Sequence, residues 1–242
     1  MTFNVYIGYD EREDIAAQVC RYSILKRTDQ LCPPNVYFLR SKDIPEFTRP
    51  KEPTQATDFT YTRFMIPYLE RYGEKCDFSI FCDCDFLFQA NIMSLVYNFD
   101  KTKAVSVVKH PPYVPHTSTK MDGIPQAPLF RKNWASLIVF NNKHPSNKKL
   151  TPEFVNTCNP GNQLHRFGWL DDKEIGSLTL EWNTLDDYYY LQSPKAIHYT
   201  DGGPWFKDYK KTMYSMEWWM EYYEYTDFTK QQRTLSPTSS KS

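Results

Sequence analysis

The sequence places two aspartates, Asp83 and Asp85, directly after an apolar run from Phe78 to Cys82. Residues i and i+2 of an extended segment point to the same side, so both carboxylates can converge on one cation. Ligands of open α/β sheets collect beyond the carboxyl ends of the strands, and carboxylate oxygens suit Mg²⁺ or Mn²⁺. The pattern therefore predicts a divalent metal site. The alternative interpretation is two solvated carboxylates where a strand ends.

A second segment, from Ile197 to Trp205, joins one histidine to a tight turn. His198 is a candidate third metal ligand, and an imidazole nitrogen beside two carboxylates favours Mn²⁺ over Mg²⁺. Gly202 and Gly203 form the one Gly-Gly pair in a chain with 8 glycines. The N–H groups of such a turn can approach a phosphate closely. The alternative is a plain turn beside a hydrogen-bonded histidine.

The elements that must position these residues alternate between strands and helices. Strands are predicted from β-branched, aromatic and apolar runs at 3–9, 36–39, 78–82, 104–108, 135–140, 178–182 and 196–199. Helices are predicted from a cap at Asp10 or Asp14 through about Leu25, from Asp58 through Leu69, and from Asp208 onward. This alternation predicts an α/β fold with a mixed, mostly parallel sheet flanked by helices.

Two of these helices have a predicted buried face. In the helix capped by Asp58, Tyr61, Phe64, Met65, Tyr68 and Leu69 form one apolar face, and Arg63 lies off it. In the last helix, the spacing of Met213, Met216, Met220 and Tyr223 predicts the packed side. The neighbouring Trp218 and Trp219 are expected in the core, with an acceptor platform or a membrane contact as alternatives. A proline-rich loop, 111–128, has the length of a binding loop or lid.

Composition excludes several classes of protein. The 242 residues carry 29 basic and 29 acidic side chains, so no basic field attracts nucleic acid or an anionic bilayer. The chain has no long apolar run and no secretory signal at its start, which predicts a soluble, cytoplasmic protein without a transmembrane segment. One domain is expected over residues 1–235, followed by a disordered tail over 236–242.

The remaining histidines and cysteines are expected to have structural roles. Cys82 and Cys84 alternate with the aspartates and should face the packed side, away from any metal. The other histidines fall in predicted loops and are interpreted as surface residues: His110, His116, His144 and His165.

Three islands together resemble the GT-A glycosyltransferases, and most of all family 8, which includes glycogenin and bacterial lipopolysaccharide galactosyltransferases. They are Thr60 to Phe64, Phe81 to Phe88 and His198 to Trp205, and the opening Ile7 to Asp10 also fits the first strand and nucleotide-binding loop of that family. The resemblance spans roughly residues 3–205. It implies metal-dependent transfer of a sugar from a nucleotide-sugar donor, usually a UDP-sugar, with retention of anomeric configuration.

The resemblance also implies roles for individual residues. Asp83, Asp85 and His198 hold the metal. Tyr9 and Asp10 contact the nucleobase and ribose, Arg63 steadies the donor sugar or the diphosphate, and the Gly-Gly turn closes over the phosphates. The full set of expected donor-binding residues is Gly8, Tyr9, Asp10, Arg63, Asp83, Cys84, Asp85, Gly202, Gly203 and Trp205.

The chain departs from the family pattern at three places. Gly203 stands where a lysine usually precedes Pro-Trp, so Lys207 must reach back if a phosphate contact is kept. Trp134-Ala135-Ser136 replaces Asn-Ala-Gly before an apolar strand. Asp171 and Asp172 begin the stretch that replaces the acidic motif of the family; one of them faces the anomeric carbon as a catalytic residue beside Arg63, or both belong to a solvated loop.

The function predicted from these observations is transfer of a hexose-type sugar to a glycan or another hydroxyl acceptor. One alternative is a sugar nucleotidyltransferase, which the lack of a glycine-rich, basic phosphate loop after the first strand disfavours. The other is a catalytically silent protein that binds a nucleotide-sugar. The sequence leaves the sugar, the base, the acceptor and the oligomeric state open.

Overall fold

The computed structural model describes residues 3–52, 55–73, 76–111, 119–120, 124–125 and 131–235. Most of the predicted loop 111–128, including His116, and the predicted tail 236–242 lie outside these residues. All the predicted site residues lie within them. The prediction of a single domain over 1–235 stays a prediction.

Strands and helices alternate along the described chain, as predicted. The strands are β1 (Phe3–Gly8), β2 (Asn35–Leu39), β3 (Phe78–Cys82), β4 (Phe86–Phe88), β5 (Val105–Val108), β6 (Thr119–Lys120), β7 (Ile124–Pro125), β8 (Leu137–Asn141), β9 (Ile175–Leu178), β10 (Thr184–Leu185) and β11 (Ala196–His198). The α-helices are α1 (Asp14–Lys26), α2 (Ile66–Tyr72), α3 (Ser94–Tyr97), α4 (Pro152–Thr157) and α5 (Ser215–Leu235).

Six strands form the main sheet in the order β2-β1-β3-β8-β5-β9. Strand β8 pairs antiparallel with both β3 and β5, whereas the other pairs are parallel. Every residue of β3, β5 and β8 is buried, as expected for strands that are covered on both faces. The prediction of a mixed, mostly parallel sheet is therefore confirmed.

A smaller sheet, in the order β10-β11-β4, stands beside the carboxyl end of β3. Strand β4 follows β3 after a turn of three residues and pairs antiparallel with β11, with His198 opposite Phe86. The backbone N–H of Tyr199 donates to the carbonyl of Asp85 at 3.0 Å. This pairing brings the end of β11 to the turn that leaves β3.

Two predicted elements begin or end elsewhere. Asp58 does not cap a helix: its N–H donates to Asp10 at 3.2 Å, and a 3-10 turn over Thr62–Met65 precedes α2. The predicted strand over 178–182 is wrong, because β9 already ends at Leu178, which pairs with Val108, the last residue of β5. Leu180–Asn183 is instead a 3-10 turn.

For the last helix, the prediction that the methionines and Tyr223 mark the packed side is wrong, whereas the prediction that Trp218 lies in the core is confirmed. Met216, Met220 and Tyr223 are exposed, whereas Trp218 and Glu221 are buried. The indole of Trp218 packs on that of Trp205, and Glu221 accepts two hydrogen bonds, each of 2.8 Å, from Arg27, the residue after α1. A large aromatic ring buries more apolar area than a methionine, so the tryptophan decides which face turns inward.

None of the helices in the described part of the chain combines the length and apolar character that crossing a bilayer requires.

Gly8, at the end of β1, is required by packing. A Cβ atom at this position would lie 2.4 Å from a ring carbon of Phe59, a side chain that is itself almost fully buried. We predict that Gly8→Ala lowers the free energy of unfolding by about 1–3 kcal/mol, the usual cost of overpacking a core. Urea denaturation followed by circular dichroism measures this change.

Gly161→Ala is the matched control. A Cβ atom at this exposed position would meet only the side-chain oxygen of Asn159, at an ordinary 3.7 Å, so its effect should stay within about 0.5 kcal/mol. Equal stability of the two variants would contradict the packing role of Gly8.

Candidate active site

Asp83, Asp85 and His198 lie together at the carboxyl end of β3. One ligand atom from each residue lies within 4.8 Å of the corresponding atoms of the other two. The aspartates come from the turn between β3 and β4, and the histidine ends β11, which pairs with β4. We call these three residues the acid–histidine cluster; their role as metal ligands stays a prediction.

Arg63 is the cationic partner of Asp83. Its Nη1 lies 2.8 Å from Oδ1 of Asp83 and donates to the carbonyl of Ala135 at 2.6 Å. The guanidinium lies over the rings of Phe59 and Phe81, at 5.3 and 4.6 Å from their centroids. This buried cation offsets one of the two carboxylate charges, so in this structure Arg63 acts on Asp83 and not on an open position.

Asp85 and His198 face each other. Oδ1 of Asp85 lies 3.4 Å from Nε2 of His198. This carboxylate oxygen is buried, and no hydrogen-bond partner for it is found in the described part of the chain. The imidazole is buried and stacks on Phe86, with ring centroids 4.4 Å apart and planes 16° from parallel. The histidine ring is therefore held in one orientation.

Asn183 determines which nitrogen of His198 carries the proton. Its side-chain amide nitrogen donates to the carbonyl of Asn133 at 3.3 Å and to Oγ of Ser136 at 2.9 Å. Because a carbonyl can only accept, the amide oxygen is left to face Nδ1 of His198, 2.9 Å away. Nδ1 is then the donor, and in the neutral ring Nε2 presents its lone pair.

This geometry fits a bound cation. An imidazole lone pair and a buried carboxylate oxygen that face each other at 3.4 Å repel unless a proton or a metal ion lies between them. Two carboxylates and one imidazole are a donor set that Mn²⁺ accepts. The residues present therefore fit the metal that the sequence predicts.

The predicted nucleotide loop has internal partners. The carboxylate of Asp10 is buried and accepts hydrogen bonds from Arg12 and from the N–H of Asp58. Burial raises the pKa of Asp10, but the hydrogen bonds and charge of Arg12 outweigh it, and the pKa is lowered overall. Asp10 thus holds the backbone of Asp58 beside the end of β1. A ribose contact would require it to exchange these partners.

Tyr9 lies beside this loop and is half-exposed. Its hydroxyl donates to Asp14 at 2.8 Å, and the Arg40 guanidinium lies 4.2 Å from the centroid of its ring. Gly8 serves packing against Phe59, as described above. A flat ligand at the carboxyl end of β1 would therefore have to use the exposed part of this ring or displace Arg40 from it.

The Gly-Gly turn packs against Trp205, whose indole in turn contacts the C-terminal helix. Gly202 has a φ of +130°, and a Cβ atom on Gly203 would lie 2.0 Å from the indole of Trp205. That indole contacts Tyr199 and Trp218. These three predicted phosphate contacts thus have a packing explanation within the chain.

The side chains of three other predicted site residues, Cys84, Asp171 and Asp172, are not part of the acid–histidine cluster. Cys84 is fully buried, so its side chain is not in a position to contact a nucleotide-sugar. Burial, followed by the neighbouring acidic groups, raises the pKa of its thiol. Asp171 forms a capping box with Glu174. Asp172 pairs with Arg131, and its side chain is 83% exposed. The structure thus gives both aspartates surface roles before β9, and neither is grouped with the acid–histidine cluster.

His110 was expected at the surface, and this is wrong. It lies two residues beyond β5 and is only 6% exposed. Burial, followed by the nearby His198, lowers the pKa of His110 to about 3, although Asn183 opposes the shift. The position of His110 after a predicted core strand was the signal that could have placed it at this edge of the sheet.

The comparisons with known proteins agree with this fold. No family model matches the chain. The chain is 40% identical over 239 residues to protein CDI of Arabidopsis thaliana, and the match covers 95% of this chain and 90% of that protein.

Solved structures of glycosyltransferases are similar in fold. The bifunctional glycosyltransferase WbbM superposes with a TM-score of 0.60 at 19% identity, over 91% of this chain and 51% of that one. The chain therefore spans about half the length of WbbM. The galactosyltransferase LgtC, in complex with donor and acceptor sugar analogues, has a TM-score of 0.57 at 13% identity, over 91% of this chain and 95% of that one.

At these identities the structural matches establish the fold alone, whereas the match to the plant protein is close enough and long enough to establish kinship. The chain thus has the GT-A fold and belongs to the same family as protein CDI of Arabidopsis thaliana.

Proposed function

We propose that the protein is a metal-dependent glycosyltransferase that takes a sugar from a nucleotide-sugar donor. The observation that carries this proposal is the acid–histidine cluster at the carboxyl end of β3, within a fold shared with glycosyltransferases. The departing group in such a transfer is a nucleoside diphosphate, which gains negative charge as the bond to the sugar breaks. A cationic centre at that position stabilises the charge.

Asp83, Asp85 and His198 would hold the divalent cation, Mn²⁺ in preference to Mg²⁺ because of the imidazole. When bound, the ion supplies Lewis-acid stabilisation of the leaving diphosphate. The chain's own residues prepare this position. Asn183 directs the lone pair of His198 Nε2 toward Asp85, and Arg63 holds the carboxylate of Asp83.

The donor is proposed to be a UDP-hexose and the acceptor a glycan or another hydroxyl compound, with retention of configuration. The family resemblance supports these details, and LgtC, a galactosyltransferase, was crystallised with donor and acceptor sugar analogues. Tyr9, at the carboxyl end of β1, offers an aromatic ring for the nucleobase. Arg63 is assigned a positioning role through Asp83 and not a direct contact with the sugar.

The experiment that tests the proposal measures nucleotide release from UDP-, GDP- and dTDP-sugars by the purified protein, with Mn²⁺ and with EDTA. We predict release from one donor that depends on the metal. Asp83→Asn and Asp85→Asn should each abolish it, because each removes a charged oxygen ligand.

Asp227→Asn is the matched control, since this α5 aspartate is 70% exposed and pairs with Lys230 one turn away, outside the acid–histidine cluster. It should release nucleotide at the wild-type rate. Metal-dependent binding of a donor without release or transfer would instead identify a silent binding protein. Unchanged activity of either cluster variant would refute the metal assignment.

The role of Asn183 gives a second prediction. Asn183→Ala should weaken Mn²⁺ binding about 10- to 100-fold, the usual effect of losing a residue that orients a metal-bound histidine. Isothermal titration calorimetry with Mn²⁺ alone measures this. The prediction fails if the variant binds Mn²⁺ as tightly as the wild type.

Asn142→Ala is the control for that experiment. The Asn142 side-chain amide also donates two hydrogen bonds, to the carbonyl of Cys76 and to Oγ of Ser79, but at the opposite end of β3. Its loss should lower stability without changing the affinity for Mn²⁺. Equal losses of Mn²⁺ affinity in the two variants would point to general destabilisation.

A further inference from the structure

His110 lies at the same edge of the main sheet as the acid–histidine cluster. It follows β5, which runs parallel to β3 because both pair antiparallel with β8. Tyr189 and His198 are among its neighbours, and it has no role in the metal site just described.

The hydrogen bonds of Tyr189 fix the tautomer of His110. The Tyr189 hydroxyl lies 2.8 Å from the carbonyl oxygen of Asn183 and 3.2 Å from Nδ1 of His110. A carbonyl can only accept, so the single proton of the hydroxyl is committed to Asn183. The Tyr189 oxygen must then accept from His110, which places the imidazole proton on Nδ1.

Nε2 of His110 is consequently an acceptor without a proton. This atom is buried, and among the residues that the structure describes it has no hydrogen-bond partner. Buried polar atoms are nearly always paired, and an exception calls for an explanation such as a missing ligand or water. The missing partner must be a donor, because Nε2 presents a lone pair.

We infer that His110 is a specificity-determining residue whose Nε2 accepts a hydrogen bond from a ring hydroxyl of the transferred sugar. The inference rests on the proposed function. A sugar hydroxyl is a neutral donor of the kind this lone pair requires, and the edge of the sheet is the one that holds the cluster. His110 lies outside the cluster of three residues whose ligand atoms are close enough to share one ion, so a sugar contact fits it better than metal ligation.

Two variants at this position separate the nitrogens of the ring. The amide of His110→Asn reaches the place of Nδ1 and keeps the bond to Tyr189, but leaves nothing at Nε2. The longer His110→Gln places an amide oxygen near Nε2. We expect His110→Asn to bind UDP with Mn²⁺ as the wild type does, and to bind UDP-glucose or UDP-galactose about tenfold more weakly. His110→Gln should recover most of that loss.

A third arm compares deoxy analogues of the donor in the wild type and in His110→Asn. Calorimetry of the wild type with deoxy analogues of the bound UDP-hexose should find one ring hydroxyl whose removal costs about tenfold in affinity. That same removal should cost nothing further in His110→Asn. Additive losses would show that His110 contacts another group.

The outcomes distinguish this inference from the proposed function. Absence of metal-dependent UDP binding by the wild type overturns both. Normal UDP binding, with UDP-hexose affinity unchanged in His110→Asn, overturns the inference alone. Equal weakening of UDP and UDP-hexose, or weaker binding of Mn²⁺ alone, also overturns it, because a sugar contact affects neither UDP nor the metal.

Discussion

The acid–histidine cluster holds two carboxylates and an imidazole lone pair within 4.8 Å of one another. These groups repel one another, and several surrounding residues reduce that repulsion. Arg63 offsets the charge of Asp83. The guanidinium is fixed in turn by the rings of Phe59 and Phe81 and by the carbonyl of Ala135. Phe59 packs on Gly8, where no larger side chain fits. A glycine in β1 is thus connected, through two contacts, to the electrostatics at the end of β3.

The smaller sheet also contributes, because it fixes how Asp85 and His198 face each other. Asp85 and His198 are brought together by backbone pairing between β4 and β11, and Asn183 then decides which nitrogen faces the carboxylate. Since the amide of Asn183 is itself oriented by Asn133 and Ser136, the segment before β8 controls a histidine on another sheet. The charge balance of Asp83, Asp85 and Arg63 leaves one negative charge, which a cation between Asp85 and His198 would offset.

Local patterns predicted the parts of this arrangement that depend on local geometry. The two-residue spacing of Asp83 and Asp85 after an apolar run, and the end of a strand at His198, sufficed to place them at one edge of a sheet. Asn183 and His110 escaped prediction because their roles depend on partners 15 to 79 positions away. In α5 the burial of Trp218 was predicted, but the methionine spacing indicated the wrong side, because a methionine contributes less buried apolar area than a tryptophan. The packing of the Gly-Gly turn against the Trp205 indole was not predicted, because it depends on a tertiary contact, and the phosphate contact of this turn stays a prediction.

The three cluster residues differ in how far solvent reaches their side chains. The side chains of Asp83 and Asp85 are 17% and 13% exposed, whereas that of His198 is 2% exposed. The imidazole therefore forms the floor of the site, and the carboxylates lie on the side that solvent reaches. His198 is stacked on Phe86 and hydrogen-bonded to Asn183 in the folded protein. The cost of ordering its ring is therefore part of the free energy of folding and does not reduce the affinity for a metal. A cation entering from the carboxylate side would meet a ligand set that needs little rearrangement, which favours tight binding of a small divalent ion.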